Sequence, residues 1–487
     1  MSLRLRAYTF FILAVTICGA MPNCAQAQTR ISHPAPEADL GRVFADDNSW
    51  IRPVNFESSP CDACSQRISA CDNTAFGCAS GTGSCDDLFT RKSLTNGLFG
   101  LQPALTENGI ATQFIFGQYY QGVTTGGNEQ TDAYGGKVDM YFTLLGEQFG
   151  LDKGFNVVMH AETRYGEDIS DAAGSLTLPN APMLWPLPGD YQGTNITGLM
   201  FTQQLFDNNV GLVAGKLNSL DLVQGILPEI GSGRESFLNV NALVTALPWF
   251  RFVNLSEWGA GFWTYDKNAG GQIAHGFIAF GLSNASDNWD FARQFEDGVG
   301  LLGWLRFFHE IDGRPGWIAV FVGGATREYT STDPQDFLIV PGEGLVSTSQ
   351  KMPIDVAPYF SQVLWQDESN TARNIRLTVG GTIADANPSF SNWNAFSKLE
   401  GFGLQRSRPG DRMGIAGWYN GISPNIKNIT AAIPGGLDAR DNWGMELYYN
   451  REITPWFHLT GDMQVLQNST VDTDTSLVLG LRAIIDI

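Results

Sequence analysis

Charge is scarce in this chain: Asp, Glu, Lys and Arg make up 16% of its 487 residues. The surface helices of soluble α/β enzymes draw heavily on those four residues, so a helical enzyme of this size is disfavoured from the outset. Positive charge is scarcer still, with 30 Lys and Arg against 50 Asp and Glu and a formal net charge of -20. Such a surface repels phosphate backbones, and no nucleic-acid partner is expected. Histidine is rare. His33, His160, His275, His309 and His458 stand singly, with no pair at metal-ligand spacing, so each is expected in a lumen or loop and not on a metal. Nucleophile-elbow and zinc-protease motifs are missing. Gly298-Val-Gly-Leu-Leu-Gly303 has G-x-G-x-x-G spacing but no strand-to-helix unit around it, and reads as a glycine-spaced strand. The expectation is no catalytic residue, no metal and no cofactor.

Long apolar runs are also absent past the N-terminus; no stretch of about 18 uninterrupted apolar residues occurs there, so any membrane crossing must use strands. The one short apolar run, Tyr8 to Gly19, follows Arg4 and Arg6 and precedes the small-x-small end Ala25-Gln26-Ala27. That pattern predicts a secretory signal over residues 1–27, cleaved before Gln28. Cysteine disappears after Cys85. Five cysteines beyond the signal, Cys61, Cys64, Cys71, Cys78 and Cys85, lie in a Pro-, Ser- and Asp-rich segment over 28–96. An exported chain meets oxidising conditions, which favours a disulfide-stapled extension over a metal or haem site; no His follows Cys61-x-x-Cys64 as haem attachment requires.

What is abundant is glycine, 55 residues, and aromatics, 12% of the chain. From residue 97 to 487 the apolar residues recur with period two. In the last segment Leu477, Leu479, Leu481, Ala483, Ile485 and Ile487 share one face, while Val478, Gly480, Arg482, Ile484 and Asp486 share the other. Leu459 to Val465 alternates with His458, Thr460, Asp462 and Gln464, and Trp443, Met445, Leu447 and Tyr449 alternate with Gly444, Glu446, Tyr448 and Asn450. Upstream, Val138, Met140, Phe142 and Leu144 oppose Lys137, Asp139, Tyr141 and Thr143, and Val157 to Tyr165 alternates with Val158, His160, Glu162 and Arg164. Ile375, Leu377, Val379 and Ile383 likewise oppose Asn374, Arg376, Thr378 and Thr382, whereas Val299 to Phe308 and Trp317 to Gly323 are apolar on both faces and leave their facing open.

Period two alone also suits a soluble sandwich. Charges of both signs inside strands suit a wet lumen better, and aromatics at strand ends (Tyr119, Tyr120, Trp249, Phe250, Trp258, Phe262, Trp263, Trp456 and Phe457) are expected as interfacial girdles. The fold class expected is therefore all-β: a transmembrane antiparallel β-barrel over 97–487. Dividing ~390 residues by ~24 per strand and connection gives about 16 strands, enough for an aqueous channel.

Within such a bore, pyranose recognition calls for an aromatic platform and two-pronged hydrogen-bonding groups. Glu162 and Arg164 offer the latter, with an ordinary wall ion pair as the alternative. Trp185, in Met183-Leu-Trp-Pro-Leu-Pro188, lies in a stretch able to fold inward as a constriction loop or to stay outside at the membrane interface.

The C-terminal run Ile453-Thr-Pro-Trp-Phe-His-Leu-Thr-Gly-Asp-Met-Gln-Val-Leu-Gln-Asn468 with Leu477-Val-Leu-Gly-Leu-Arg482 resembles the closing hairpin of carbohydrate-selective porins of the OprB type. Gly97-Leu-Phe-Gly100, Gly135-Gly-Lys-Val-Asp139 and Ala214-Gly-Lys-Leu-Asn218 before Asp221 extend the resemblance from Leu94 to Ile487. It implies a barrel in the bacterial outer membrane, a homotrimer or a monomer in contact with outer-membrane lipid, through which sugars and other small solutes diffuse passively. It also implies Arg, Glu and Trp side chains at the constriction, for which Glu162, Arg164 and Trp185 are the candidates here. Such barrels usually end in an aromatic residue, where this chain has Ile487. Two other readings remain: an outer-membrane barrel enzyme acting on lipid or polysaccharide, and a secreted carbohydrate-binding β-protein.

Overall fold

The computed structural model describes residues 87–487 apart from 177, 184–192, 207, 232, 245–247, 250–255, 266–272, 283–294, 343, 348–349 and 433–437. The cysteines of the extension and Trp185 lie outside the described residues. Before the sheet begins, α1 (Asn96–Glu107) packs beside it; its first turn is irregular, with Gly97, Leu98, Phe99 and Gly100 all at positive φ. The barrel proper starts at Ile110.

The chain lays down β1 (Ile110–Thr125), β2 (Asp132–Leu145), β3 (Phe155–Gly166), β4 (Gly193–Leu205), β5 (Val210–Asn218), β6 (Ser256–Tyr265), β7 (Ile273–Gly281), β8 (Val299–Ile311) and β9 (Arg314–Ala325). Four short strands follow, β10 (Tyr329–Thr330), β11 (Phe337–Val340), β12 (Gly344–Ser347) and β13 (Gln350–Lys351), which form two small ribbons in one long connection. Then come β14 (Ile354–Asp367), β15 (Asn370–Ala384), β16 (Ser391–Phe402), β17 (Arg412–Ile422), β18 (Asn442–Thr454), β19 (Phe457–Leu466) and β20 (Ser476–Asp486). Apart from β10–β13 these strands pair with their neighbours in order, all antiparallel, into a closed barrel of 16. Ile115 of β1 stands opposite Asp486 of β20, which seals the cylinder. Barrel strands run from 9 to 16 residues, long enough for each to cross a bilayer at a tilt. Closure also leaves no bare edge, the condition for a sheet in hydrocarbon.

Turns of two residues join β8 to β9, β14 to β15 and β18 to β19 at one end; the opposite end carries the long connections, among them residues 219–255 and 326–353. In outer-membrane barrels the short turns face the periplasm and the long loops face outward.

The two-residue rhythm translates directly into facing. Lys137, Asp139, Tyr141, His160, Glu162, Arg164, Glu446, Asp462 and Arg482 are turned inward and buried, while Leu447, Met463, Leu479 and Leu481 stand exposed on the outside. Segments whose facing the pattern left open now resolve: Leu302, Trp304, Arg306 and Phe308 of β8 and Trp317, Ala319 and Phe321 of β9 point inward. Gly300 and Gly303 sit within β8 and Gly298 lies just before it at positive φ, so the G-x-G-x-x-G spacing opens a strand.

Several aromatics expected in the girdles are instead internal. Tyr119, Trp249 and Trp263 are buried, Trp249 and Trp263 in the same apolar cluster as Trp304, Trp317 and Phe321. For Trp263 the reason is room beside it, over Gly211 of β5, where a Cβ would come within 2.0 Å of the indole. Trp304 lies over Gly276 of β7, where a Cβ would come within 2.2 Å of the indole, and Trp418 lies over Gly444 of β18, where the same atom would come within 2.4 Å. Large rings therefore lie against the inner wall because the adjacent strand supplies a residue without a side chain. His275 also departs from expectation: it is exposed on the outer face, bonded to Thr264.

The bore thus has two unlike halves. Its inner surface on β6–β9 and β14 is apolar, with Trp263, Ile278, Leu302, Trp304, Trp317, Phe321 and Tyr359. On β2, β3, β16 and β18–β20 it is charged, with Lys137, Asp139, Glu162, Lys398, Glu400, Glu446, Asp462 and Arg482.

Candidate pore constriction

Two adjacent strands build the charged wall. On β2 and β3 the register places Asp139 opposite Glu162 and Lys137 opposite Arg164, so four ionisable side chains enter the bore at the same level. Lys137 Nζ lies 3.1 Å from Asp139 Oδ1 and is also paired with Glu162. His160 Nε2 is 3.2 Å from the same Asp139 oxygen, and its ring stacks on Tyr141 with centroids 3.9 Å apart. Arg164 turns away from this group to Asp168, at 3.3 Å. Glu162 and Arg164, both expected in the lumen, are indeed inward, at 0% and 7% exposure, but they serve different partners. Asp139, His160 and Glu162 bring their donor atoms within 4.8 Å of one another, a spacing a metal ion could use. The Lys137 ammonium already contacts both carboxylates, so the charge such an ion would supply is in place.

Against this wall lies a segment that the strand rhythm did not flag. After β5, Asn218 caps α2 (Ser219–Ile226) by accepting from the amides of Leu220 and Asp221 at 3.1 and 3.2 Å. A turn at Pro228–Ile230 and a stretch that bends over residues 233–236 lead to α3 (Val240–Leu243), capped by Asn239. This strap runs inside the barrel. Asp221 Oδ2 meets His160 Nδ1 at 2.8 Å, and Arg234 reaches Asp139 Oδ2 at 2.7 Å and Tyr141 at 3.2 Å. Farther along, Arg412 of β17 pairs with Glu235 at 3.1 Å, and Phe237 meets Tyr448 edge-on at 4.8 Å. Arg482 donates to the carbonyls of Gly233 and Ser236, the latter at 2.7 Å. Glu446 accepts from the amides of Leu238 and Asn239, the latter at 2.8 Å.

On the other side the strap is held by apolar burial. Leu222, Ile226, Leu227 and Ile230 join the aromatic half of the bore, and Trp249, beyond the strap, packs on Phe321 with centroids 5.8 Å apart. One cation stands among them: Arg306 is 4.5 Å from the ring centres of both Phe308 and Trp317, and it donates to Ile226 O at 3.0 Å and Glu229 Oε1 at 2.6 Å. Burial acts to raise the pKa of the Glu229 carboxyl, yet the charges of Arg306 and Arg376 hold it below its ordinary value.

The connection from β3 to β4 also turns inward. Asn180, Ala181 and Met183 are buried, Ala181 N donates to Leu238 O of the strap at 2.7 Å, and Gln464 donates to Pro179 O at 2.7 Å. Two connections therefore meet inside the bore. The strap was missed in the sequence because its residues have no partner strand and hence no alternation; its one local signal was Asn218 followed by Asp221, a cap opening a helix.

The model of the carbohydrate-selective porin family, OprB, matches residues 129–486. The chain belongs to this family. It is accordingly an outer-membrane channel for sugars and small solutes and not an enzyme, and the porin reading prevails over the two alternatives. Among solved structures, the high-pH structure of Pseudomonas putida OprB is similar with a TM-score of 0.69 at 16% identity, covering 82% of this chain and 99% of that one. The low-pH structure of the same protein gives a TM-score of 0.50 at 14% identity with the same coverage. At those identities the likeness supports the barrel alone. No curated protein matches the chain. The strap described above is thus part of an OprB-family barrel whose sequence has diverged far from that of the P. putida protein.

Proposed function

We propose that solutes cross this OprB-family porin through the part of the bore left open by the strap, which is fastened to the charged wall of β2 and β3 and narrows the lumen there. The observation that carries this reading is Arg234 of the strap meeting Asp139 of the wall at 2.7 Å, with Asp221 and His160 joined beside it. Glu162 and Arg164 are read as members of that wall which offer hydrogen bonds to sugar hydroxyls, and Trp185, two residues past Met183, as a ring for the apolar face of a pyranose. The exposed apolar outer face of the strands is read as the surface in contact with outer-membrane lipid. Solute moves down its own gradient, so selectivity rests on fit and on hydrogen bonds exchanged for water.

Swelling of proteoliposomes in glucose and in a linear polyol of similar size tests this. Glu162→Gln and Arg164→Ala are expected to lower the glucose rate relative to the polyol rate, and Trp185→Ala to do the same. Unchanged ratios in all three folded variants would remove these residues from the recognition surface.

A further inference from the structure

Wall side chains bond the strap's backbone at several points, Arg306 at Ile226 O and Lys398 at Ile230 O among them, and between Gly233 and Asn239 two wall residues each make two such bonds. Arg482 on β20 spans the carbonyls of Gly233 and Ser236, and Glu446 on β18 takes the successive amides of Leu238 and Asn239. Both wall residues are fully buried, at 0% and 1% exposure. The strands carrying them are separated by β19, so the two grips fall at different points of the same seven-residue stretch. Charge-assisted bonds to backbone are short, directional and indifferent to the strap's own side chains. A carboxylate that accepts two consecutive amides also fixes the local direction of the chain.

We propose that Arg482 and Glu446 are positioning residues that set the size limit of the pore by holding this stretch at a fixed height and distance from the wall. Neither residue needs to touch solute for this. The inference rests on the reading that the strap narrows the passage. It adds that the limit is fixed by two wall residues acting on backbone, whatever side chains the strap carries.

Three proteins in liposomes, with single-channel recording alongside, decide it: Arg482→Met, Glu446→Gln and a deletion of residues 233–239. The first two change lumen charge in opposite senses, so a purely electrostatic role moves cation-to-anion selectivity in opposite directions and leaves the sugar cutoff alone. The clamp predicts instead that both variants shift the cutoff the same way, admitting the next larger oligosaccharide, and that both raise conductance. A cutoff unchanged in both, while the deletion raises it, overturns the clamp and leaves the strap as the constriction. A cutoff unchanged even in the deletion overturns the constriction reading itself. Heat-modifiable gel mobility verifies folding. If the Met or Gln variant fails to insert, Arg482→Lys and Glu446→Asp, which keep the charge but shorten the reach, should raise the cutoff by a smaller step, and no shift in either overturns the clamp.

Discussion

The aromatic half of the bore and its charged half hold the same strap by different means. Against β6–β9 the strap is fastened mainly by area, with Arg306 adding bonds to Ile226 O and Glu229: Leu222, Ile226 and Ile230 lose water against rings laid over glycines. Against β2, β3 and β18–β20 it is fastened by direction, through Asp221, Arg234 and the two grips on its backbone. Apolar contact tolerates sliding and is proportional to area, whereas buried ion pairs and charge-assisted bonds define position while giving little net stability. The contrast teaches a division of labour: the aromatic half keeps the strap inside, and the charged half says where.

The largest effect is expected from cutting into the aromatic half. Phe321→Ala removes a ring that is 2% exposed, and should cost about 3–5 kcal/mol and lower the temperature at which the heat-modifiable band shifts on a gel. On the charged half, Asp139→Asn leaves the Arg234 guanidinium short of one countercharge. It should cost about 1–3 kcal/mol in the same assay, with a larger effect on single-channel noise than on melting, since position rather than cohesion is lost. Glu229, paired with Arg306 of β8 within the aromatic half, gives a pH test. Its carboxyl titrates below the ordinary value, so its contribution is complete above the unfolded pKa and declines as pH falls through the folded one. Conductance should therefore hold steady from neutrality down to about pH 4.5 and become noisier only in more acid solution, and Glu229→Gln should flatten that acid limb. The smallest effect belongs outside the bore. Asp312 in the β8–β9 turn pairs with Arg314 at 2.9 Å but is 79% exposed, and Asp312→Asn should change melting by less than about 0.5 kcal/mol. A large loss there would place stability in the turns and blur the distinction between the halves.

The same division explains what could be read from the sequence. Where the inner face is charged, as in Lys137 to Thr143 or His458 to Gln464, alternation is visible because outside and inside differ chemically. Along Val299 to Phe308 both faces are apolar, for two unrelated reasons, membrane outside and strap inside, and the period vanishes from composition. Glu162 and Arg164 were legible as inward residues from β3 alone. Their partners were not, since Lys137 reaches Glu162 across a strand pairing and Asp168 meets Arg164 from the connection beyond β3. The internal placement of Trp263 was hidden too, because it depends on the cross-strand neighbour Gly211, more than fifty positions away in the chain.

Closure carries a consequence for how the protein is made. β1 finds its second neighbour only in β20, so the first strand to be exported waits for the last with one row of amides and carbonyls unmet. Every other pairing joins successive barrel strands and can zip as the chain arrives; this seam alone demands that the two extremes of the barrel find each other. Until it forms, the half-built sheet is a sticky ribbon, and escorting it across the periplasm is as much a requirement of this fold as the membrane that finally receives it.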